Sequence, residues 1–388
     1  VEVTQIDAEE IQDRLLLSTV QKIKSLTAIP GKDRVEKVEF ESVGYTAICE
    51  KLHKVGDLVV FTKYDSIVAD IPPFEWMKDM KFRVKPKSFT IKDEDGDVIG
   101  KIYSQGIVVK LADVIEFTAN RDCSNDNPYT DSVAIDVAFQ TQLWEDGDDL
   151  TELLGTKKYI PQVSGKGNSL GNMQAKGTFP TSIVSKTDEM NLASKMKYLE
   201  FFKGKHVVAR LKMEGSSLTT YIDPEDKELN VCSRNNNLKE MEGNKFWTAV
   251  NKNDLKTKLA PEQDTDLDFS GIVIQAELMG PGVQNNKLQL TEPDMYVFTL
   301  TNIKTKTRLH DDALINFCKT LNLKICPEVG RWEAFDLTFD QLQEIADKLE
   351  YLPGVPAEGM VIRPYVPEWC DKLQDWLSMK IINRNYSL

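Results

Sequence analysis

The stretch 206-HVVARLKMEGSSLTTY-221 decides how the chain is read. Its first half alternates apolar and polar residues through Val207, Val208, Arg210 and Leu211, the pattern of a half-buried strand. Directly behind it come Lys212, Met213, Glu214, Gly215, Ser216 and Ser217. A lysine at a rigid strand end, beside a glycine that lets a substrate approach the backbone, is well placed as an amine nucleophile. Taken alone, K-x-E-G is better read as a solvated lysine and a turn glycine, because four loosely defined residues recur by chance. The rest of the chain separates the two readings.

The chain has 388 residues, room for at least two domains, with 41% hydrophobic and 28% charged residues. That is the composition of a protein with a sizeable core. No apolar run reaches the length of a membrane span and no signal-like segment opens the chain, so a cytoplasmic location is expected. The chain opens on Val1, which reads as a trimmed start. Six cysteines are scattered without a C-x-x-C pair. This argues against a disulfide framework and structural zinc, and for reduced thiols in the cytosol. The three histidines, His53, His206 and His310, have no spaced partners for zinc or for a serine triad. Chemistry here falls to Lys, Glu, Asp and Arg.

A net charge of −13 argues against nucleic-acid binding, but the charge is uneven. Residues 14–111 hold 17 Lys+Arg against 14 Asp+Glu, whereas residues 112–156 hold one basic residue, Arg121, against 11 acidic ones. Behind a polar tail (1–13), residues 14–111 read as short strands: VEKVEF (35–40), YTAICEKL (45–52), DLVVFTKY (57–64), FTIKDEDGDVIGKIY (89–103) and GIVVKL (106–111). Asp95-Gly96 marks a hairpin turn. Such a set suggests an OB-like barrel. In MKFRVKPKSFTIK (80–92), Arg83, Lys85, Lys87 and Lys92 interleave with Phe82 and Phe89, which suits a nucleic-acid strand as well as it suits a solvated face. Residues 112–178 read as an acidic segment and a flexible Gly/Ser/Asn linker.

From 179 to 388 the pattern is mixed α and β. Helices are expected at 191–202, 311–322 and 339–350, with strands at TTYIDP, ELNVCSR, GIVIQAELMG, MYVFTLTNI, EGMVIRPY and LSMKIINRNY. Polar groups interrupt these core-like runs: Arg234 ends ELNVCSR, Glu277 sits inside VIQAELMG, Glu358-Gly359 opens MVIRPY, and Lys380 sits in LSMKII. Together with Lys212 they make five interruptions in one domain, two of them near an acid–glycine pair, more than solvated faces account for.

In this order KMEGSS, SRN (233–235), AELMGPG (276–282), VFTL (297–300), EGMVIR (358–363) and SMKIINRNY (378–386) resemble the motif series of covalent nucleotidyltransferases, most of all ATP-dependent RNA ligases. IKSLTAIPGKDRVEKVEF, VGDLVVFTKYDS and FPTSIVSKTDE (179–189) resemble the Deinococcus and Naegleria group of these ligases. The resemblance implies an α+β chain: an OB-like barrel, then an ATP-grasp-like adenylyltransferase domain of antiparallel sheets with flanking helices. It implies Lys212 as the nucleophile that takes AMP from ATP and passes it to an RNA 5′-phosphate. A 3′-OH then attacks and AMP leaves. It further implies Glu277 at the ribose and Phe298 on adenine. Leu211, Gly215, Arg234 and Lys380 would lie around the nucleotide, and Glu358 and Glu214 would contact Mg2+ or Mn2+. The expected substrate is a nicked duplex with an RNA 3′-OH, and the expected state a monomer. Two departures stand out. Glu214 takes the place of the usual Asp, and the closing motif holds one lysine, Lys380, with Ser378 or Ile382 in place of the other. The rival readings are a DNA ligase, a capping-type guanylyltransferase, or a non-catalytic nucleic-acid-binding protein on a decayed ligase scaffold.

Overall fold

The computed structural model describes residues 16–92, 97–122, 144–159, 174–260 and 269–386. The expected tail and most of the glycine-rich linker lie outside these residues. The chain forms two compact units, one of Val1–Pro161 with Ala193–Lys197 and Leu388, the other of Gln162–Leu192 with Tyr198–Ser387.

In the N-terminal unit, β1 (Ser18–Ala28), β2 (Val35–Phe40), β3 (Thr46–Glu50), β4 (Leu58–Lys63) and β9 (Gly106–Lys110) form an antiparallel sheet in the order β3-β2-β1-β4-β9. The sheet curls until β3 meets the start of β9: Gln105 N–H donates to the Thr46 carbonyl at 2.7 Å, and the Ser104 hydroxyl accepts from Ile48 N–H at 3.1 Å. A nearly closed five-stranded barrel results, with few unpaired edges, as an OB-like fold requires. Gly106 is needed at the seam, because a Cβ there would run into Phe61 and the Thr62 carbonyl. Between β4 and β9 lie the short pair β5 (Ser66–Ile67) and β6 (Arg83–Val84), and the hairpin of β7 (Lys87–Lys92) and β8 (Val98–Ser104). That hairpin is the one expected around Asp95-Gly96, whose turn lies outside the described residues.

The structure differs from the expected acidic linker. Helix α1 (Leu111–Asp122) follows β9 directly, and Leu111, Val114 and Ile115 enter the barrel core with Leu150 and Leu154. The Thr151 hydroxyl accepts from Leu17 N–H at 2.9 Å, and β10 (Lys157–Lys158) pairs with β5. Asp146, Asp148 and Asp149 serve their own loop and the edge of β1: Asp146 accepts from Lys22 N–H, and Val20 N–H donates to the Asp148 carbonyl, each at 2.8 Å. Charge composition alone hides leucines at fixed spacing. Residues 144–159 belong to the barrel unit.

The C-terminal unit holds two larger sheets. One joins β11 (Ala175–Thr178), β14 (Ser216–Ile222), β15 (Leu229–Cys232), β16 (Asn236–Leu238), β17 (Ile272–Met279), β18 (Asp294–Asn302) and β19 (Lys324–Ile325) in the order β11-β16-β15-β14-β17-β18-β19. The other joins β12 (Met190–Asn191), β13 (Val207–Lys212), β20 (Glu328–Trp332), β23 (Gly359–Pro364) and β26 (Met379–Ile382) in the order β12-β26-β23-β13-β20. The short hairpins β21 (Glu350–Leu352) with β22 (Val355–Pro356), and β24 (Trp369–Cys370) with β25 (Asp375–Trp376), complete the strands. Helices α2 (Lys245–Lys252), α3 (Leu255–Leu259) and α4 (Asp311–Thr320) pack Trp247, Val250, Leu255 and Phe317 into one core with Leu218, Ala276 and Val297. Helix α5 (Phe339–Asp347) starts at a capping box of Thr338 and Gln341. The expected helices at 311–322 and 339–350 are present. The stretch 191–202 is instead two 3₁₀ turns, Leu192–Ser194 and Met196–Phe202, because its first residue is drawn into strand pairing with Lys380.

Candidate active site

The site begins with register. In the second sheet Lys212 lies opposite Gly359, Arg210 opposite Val361, and Val361 opposite Lys380. Side chains alternate along strands, so Lys212, Val361, Arg363 and Lys380 share one face. This face, Glu277 from β17 and Phe298 from β18 wall a cavity of about 420 Å3, large enough for a nucleotide. Leu211, Gly215, Ser217 and Arg234 also line it.

Glu358 precedes Gly359, so the same register sets its carboxylate beside the lysine. Lys212 Nζ is 2.8 Å from Glu358 Oε1, with both side chains about four-fifths buried. Tyr351, from β21, fastens the pair: its hydroxyl donates to the Lys212 carbonyl at 2.6 Å and accepts from Glu358 N–H at 3.2 Å. Burial works to lower the Lys212 pKa, but Glu358, and behind it Glu277 and Glu189, outweigh it and hold the amine above its ordinary value. Lys380, desolvated and repelled by Lys212 despite Asp188, is shifted downward. Burial, with Glu358 and Glu189 adding to it and Lys212 opposing, raises the Glu277 carboxyl to about 7.

Gly215 was expected to admit a substrate. What approaches it is the protein: a Cβ there would overlap the Leu278 carbonyl and crowd Glu277 and Met279 on β17. Gly359, at φ +142°, is pressed in the same way against the Ile381 carbonyl. Both glycines are set by strand packing.

Glu214 faces elsewhere. It is 8% exposed, accepts from the Asn285 amide at 2.9 Å, and lies 3.5 Å from Lys287 Nζ. Lys287 sits 3.7 Å over the Tyr386 ring. It is not among the residues lining the cavity.

Residues that the sequence reading did not single out complete the site. Arg363 donates from Nε to Ser378 at 2.9 Å, from Nη1 to the Phe298 carbonyl at 2.6 Å and Thr299 at 2.8 Å, and from Nη2 to Glu189 at 2.6 Å. It thereby ties the base of Phe298 to three other segments. Burial would raise the Glu189 carboxyl, but Arg363, helped by Lys212, holds it at about 2. An arginine inside EGMVIRPY is the same kind of polar interruption as Glu277, and was legible as such. Tyr351 carried no comparable signal. At the mouth, Arg234 is 51% exposed and 2.9 Å from Asp188.

Of the basic residues expected to meet nucleic acid, Lys85, Lys87 and Lys92 are exposed, the last two on β7. Arg83 is half-buried, its guanidinium 3.5 Å from the centroid of the Tyr159 ring, and so is engaged within the unit. His310 caps α4 and His206 stacks on Tyr365 at 4.3 Å, which accounts for both without catalysis.

Two family models match: RNA ligase over residues 205–380 and an OB-fold domain over residues 17–111. The two matches lie one after the other along the chain, the OB-fold model first and the RNA ligase model second. Among solved structures, a lysine-to-alanine mutant of Naegleria gruberi RNA ligase with ATP and Mn is similar at 23% identity and TM-score 0.70, over 96% of this chain and 98% of that one. The same enzyme with PPi is similar at 24% and 0.67, over 95% and 97%. A lysine-to-methionine mutant with AMP and Mn is similar at 24% and 0.67, over 96% and 98%. At these identities the likeness speaks for the fold. No curated protein matches the chain. The stretch matched by the RNA ligase model contains Lys212, Glu277, Phe298, Glu358 and Lys380. No helix among the described residues is long and apolar enough to cross a membrane.

Proposed function

We propose that the protein is an ATP-dependent RNA ligase that joins a 3′-OH to a 5′-phosphate at nicks in a duplex, by way of lysyl-AMP and RNA-adenylate. The observation that carries this reading is Lys212 on the wall of a nucleotide-sized cavity, 2.8 Å from Glu358, on strands whose register fixes both. In the first step Lys212 Nζ attacks the α-phosphorus of ATP, an N–P bond forms, and the bond to the departing pyrophosphate breaks. The amine must first lose a proton, and Glu358 Oε1 is the acceptor in reach. Phe298 stacks on adenine, its backbone held by Arg363, while Glu277 binds ribose and Lys380 the α-phosphate. Leu211 and Gly215 complete the nucleotide wall, and Arg234 receives a phosphate at the mouth.

Among the described residues, no group of three or more His, Cys, Asp or Glu could by itself hold a metal ion. One carboxylate beside phosphate oxygens is nonetheless the donor set that Mg2+ or Mn2+ accepts, and Glu358 supplies it. Such an ion would supply neutralisation of phosphate charge beside Glu358. Glu214 accepts from Asn285 through Oε1, while its buried Oε2 has no hydrogen-bond partner and lies 3.5 Å from Lys287 Nζ, so it would be the second carboxylate to meet such an ion, directly or through water.

Lys85, Lys87 and Lys92 would take the duplex backbone. A nick-sealing assay with RNA or DNA placed separately on each side of the nick tests the proposal. Sealing should require ATP and RNA on the 3′-OH side. Equal sealing with DNA there would make the enzyme a DNA ligase, and a GTP requirement would remove the ligase reading.

A further inference from the structure

We propose that Asp188 is a built-in stand-in for a substrate phosphate, holding the anion position between Arg234 and Lys380 until a phosphate displaces it. This rests on the nucleotidyl-transfer reading above. Asp188 lines the cavity and lies beside Glu189, which Arg363 anchors. Its two oxygens meet different cations: Oδ2 is 2.9 Å from Arg234 Nη2, and Oδ1 is 3.9 Å from Lys380 Nζ. Two anionic oxygens on one centre, bridging two cations, is also how a phosphate group binds. The other carboxylates nearby are more deeply placed and committed, Glu189 to Arg363 and Glu358 to Lys212, with side chains 14% and 20% exposed. Asp188 is 59% exposed and can swing into water.

The arrangement has a consequence for selectivity. A ligand entering this position must replace both ion pairs, so only a group that bridges both cations gains by binding. A 5′-hydroxyl end, which carries no such group, cannot. The displacing phosphate comes either from the nucleotide or from the RNA 5′ end, and binding to the full chain distinguishes them. Affinities for inorganic pyrophosphate, for a 5′-phosphorylated RNA oligonucleotide and for its 5′-hydroxyl counterpart are measured in chelator. The proteins are the unmodified chain, Asp188→Asn, Arg234→Ala and the double variant.

Asp188→Asn should tighten a phosphate-bearing ligand by about three- to tenfold, the size of an exposed ion pair released. The gain should vanish in the Arg234→Ala background. Tightening of pyrophosphate alone assigns the position to the nucleotide, and tightening of 5′-phosphorylated RNA alone assigns it to the RNA end. Both outcomes support the proposal. Three outcomes overturn it: unchanged or weaker binding of both ligands, a gain that survives without Arg234, or an equal gain for 5′-hydroxyl RNA. If these fail while Lys212 still takes label from ATP, only this inference falls. Absence of labelling in the unmodified chain removes the reading beneath it.

Discussion

Two of the chain's acid–glycine pairs, Glu214-Gly215 beside Lys212 and Glu358-Gly359 on the facing strand, look alike in sequence and are used differently. Their glycines do the same work, each letting a neighbouring strand come closer than any side chain permits. Their glutamates part. Glu358 is turned onto Lys212 by the β13–β23 register, whereas Glu214 is turned onto Asn285 and Lys287. The glycine thus reports the packing of sheets, and the acid takes its role from the loop that carries it. One acid sits against the lysine amine; the other is bonded to residues of a later loop.

The comparison can be broken first at the glycines. Gly215→Ala and Gly359→Ala should each destabilise the protein by more than about 3 kcal/mol, because the added carbon meets a backbone carbonyl that cannot move aside. Denaturant unfolding measures this, and a tolerant Gly215 would mean that its role is substrate access after all. The glutamates should then diverge. In Glu358→Gln the largest influence raising the Lys212 pKa is gone, while burial remains. The amine should titrate at lower pH, as read by NMR of methylated lysine, and its adenylylation should fall by about a hundredfold. Glu214→Gln should leave the Lys212 titration in place. Equal shifts in the two variants would erase the distinction drawn between them.

The sign of the pH dependence follows from the same groups. With its pKa held above the ordinary value, Lys212 is protonated across the neutral range in the free protein, so its adduct formation should accelerate as pH rises. Tyr351→Phe removes the hydroxyl shared by the Lys212 carbonyl and Glu358 N–H, a loss of about 1–2 kcal/mol in stability. Lys287→Met should be the mildest, about 0.5–1 kcal/mol, since it withdraws one cation from a carboxylate that keeps Asn285.

The strand patterns were legible because alternation survives in half-buried strands, and the hairpin of β7 and β8 and the helices α4 and α5 followed from periodicity. Lys212, Glu277, Phe298, Glu358 and Lys380 were legible as motif residues, and the cavity unites all five side chains or their direct partners. Other features were not. The surroundings of Glu214 depend on Asn285 and Lys287, which lie 71 and more residues away and give no local sign. Leu150 and Leu154 were masked by the carboxylates around them, whose charge reads as solvation while the leucines fill the barrel. Arg83 read as one of four equivalent basic residues until Tyr159 was seen beneath it.

If Lys212 accepts the nucleotide, the protein itself must carry it covalently. Purified protein incubated with α-labelled ATP and Mg2+ or Mn2+ should become covalently labelled in an acid-labile, phosphoramidate-type bond. Lys212→Ala, folded as judged by its unfolding transition, should take no label. Label that persists in Lys212→Ala, or an unmodified protein that takes none, would contradict the account.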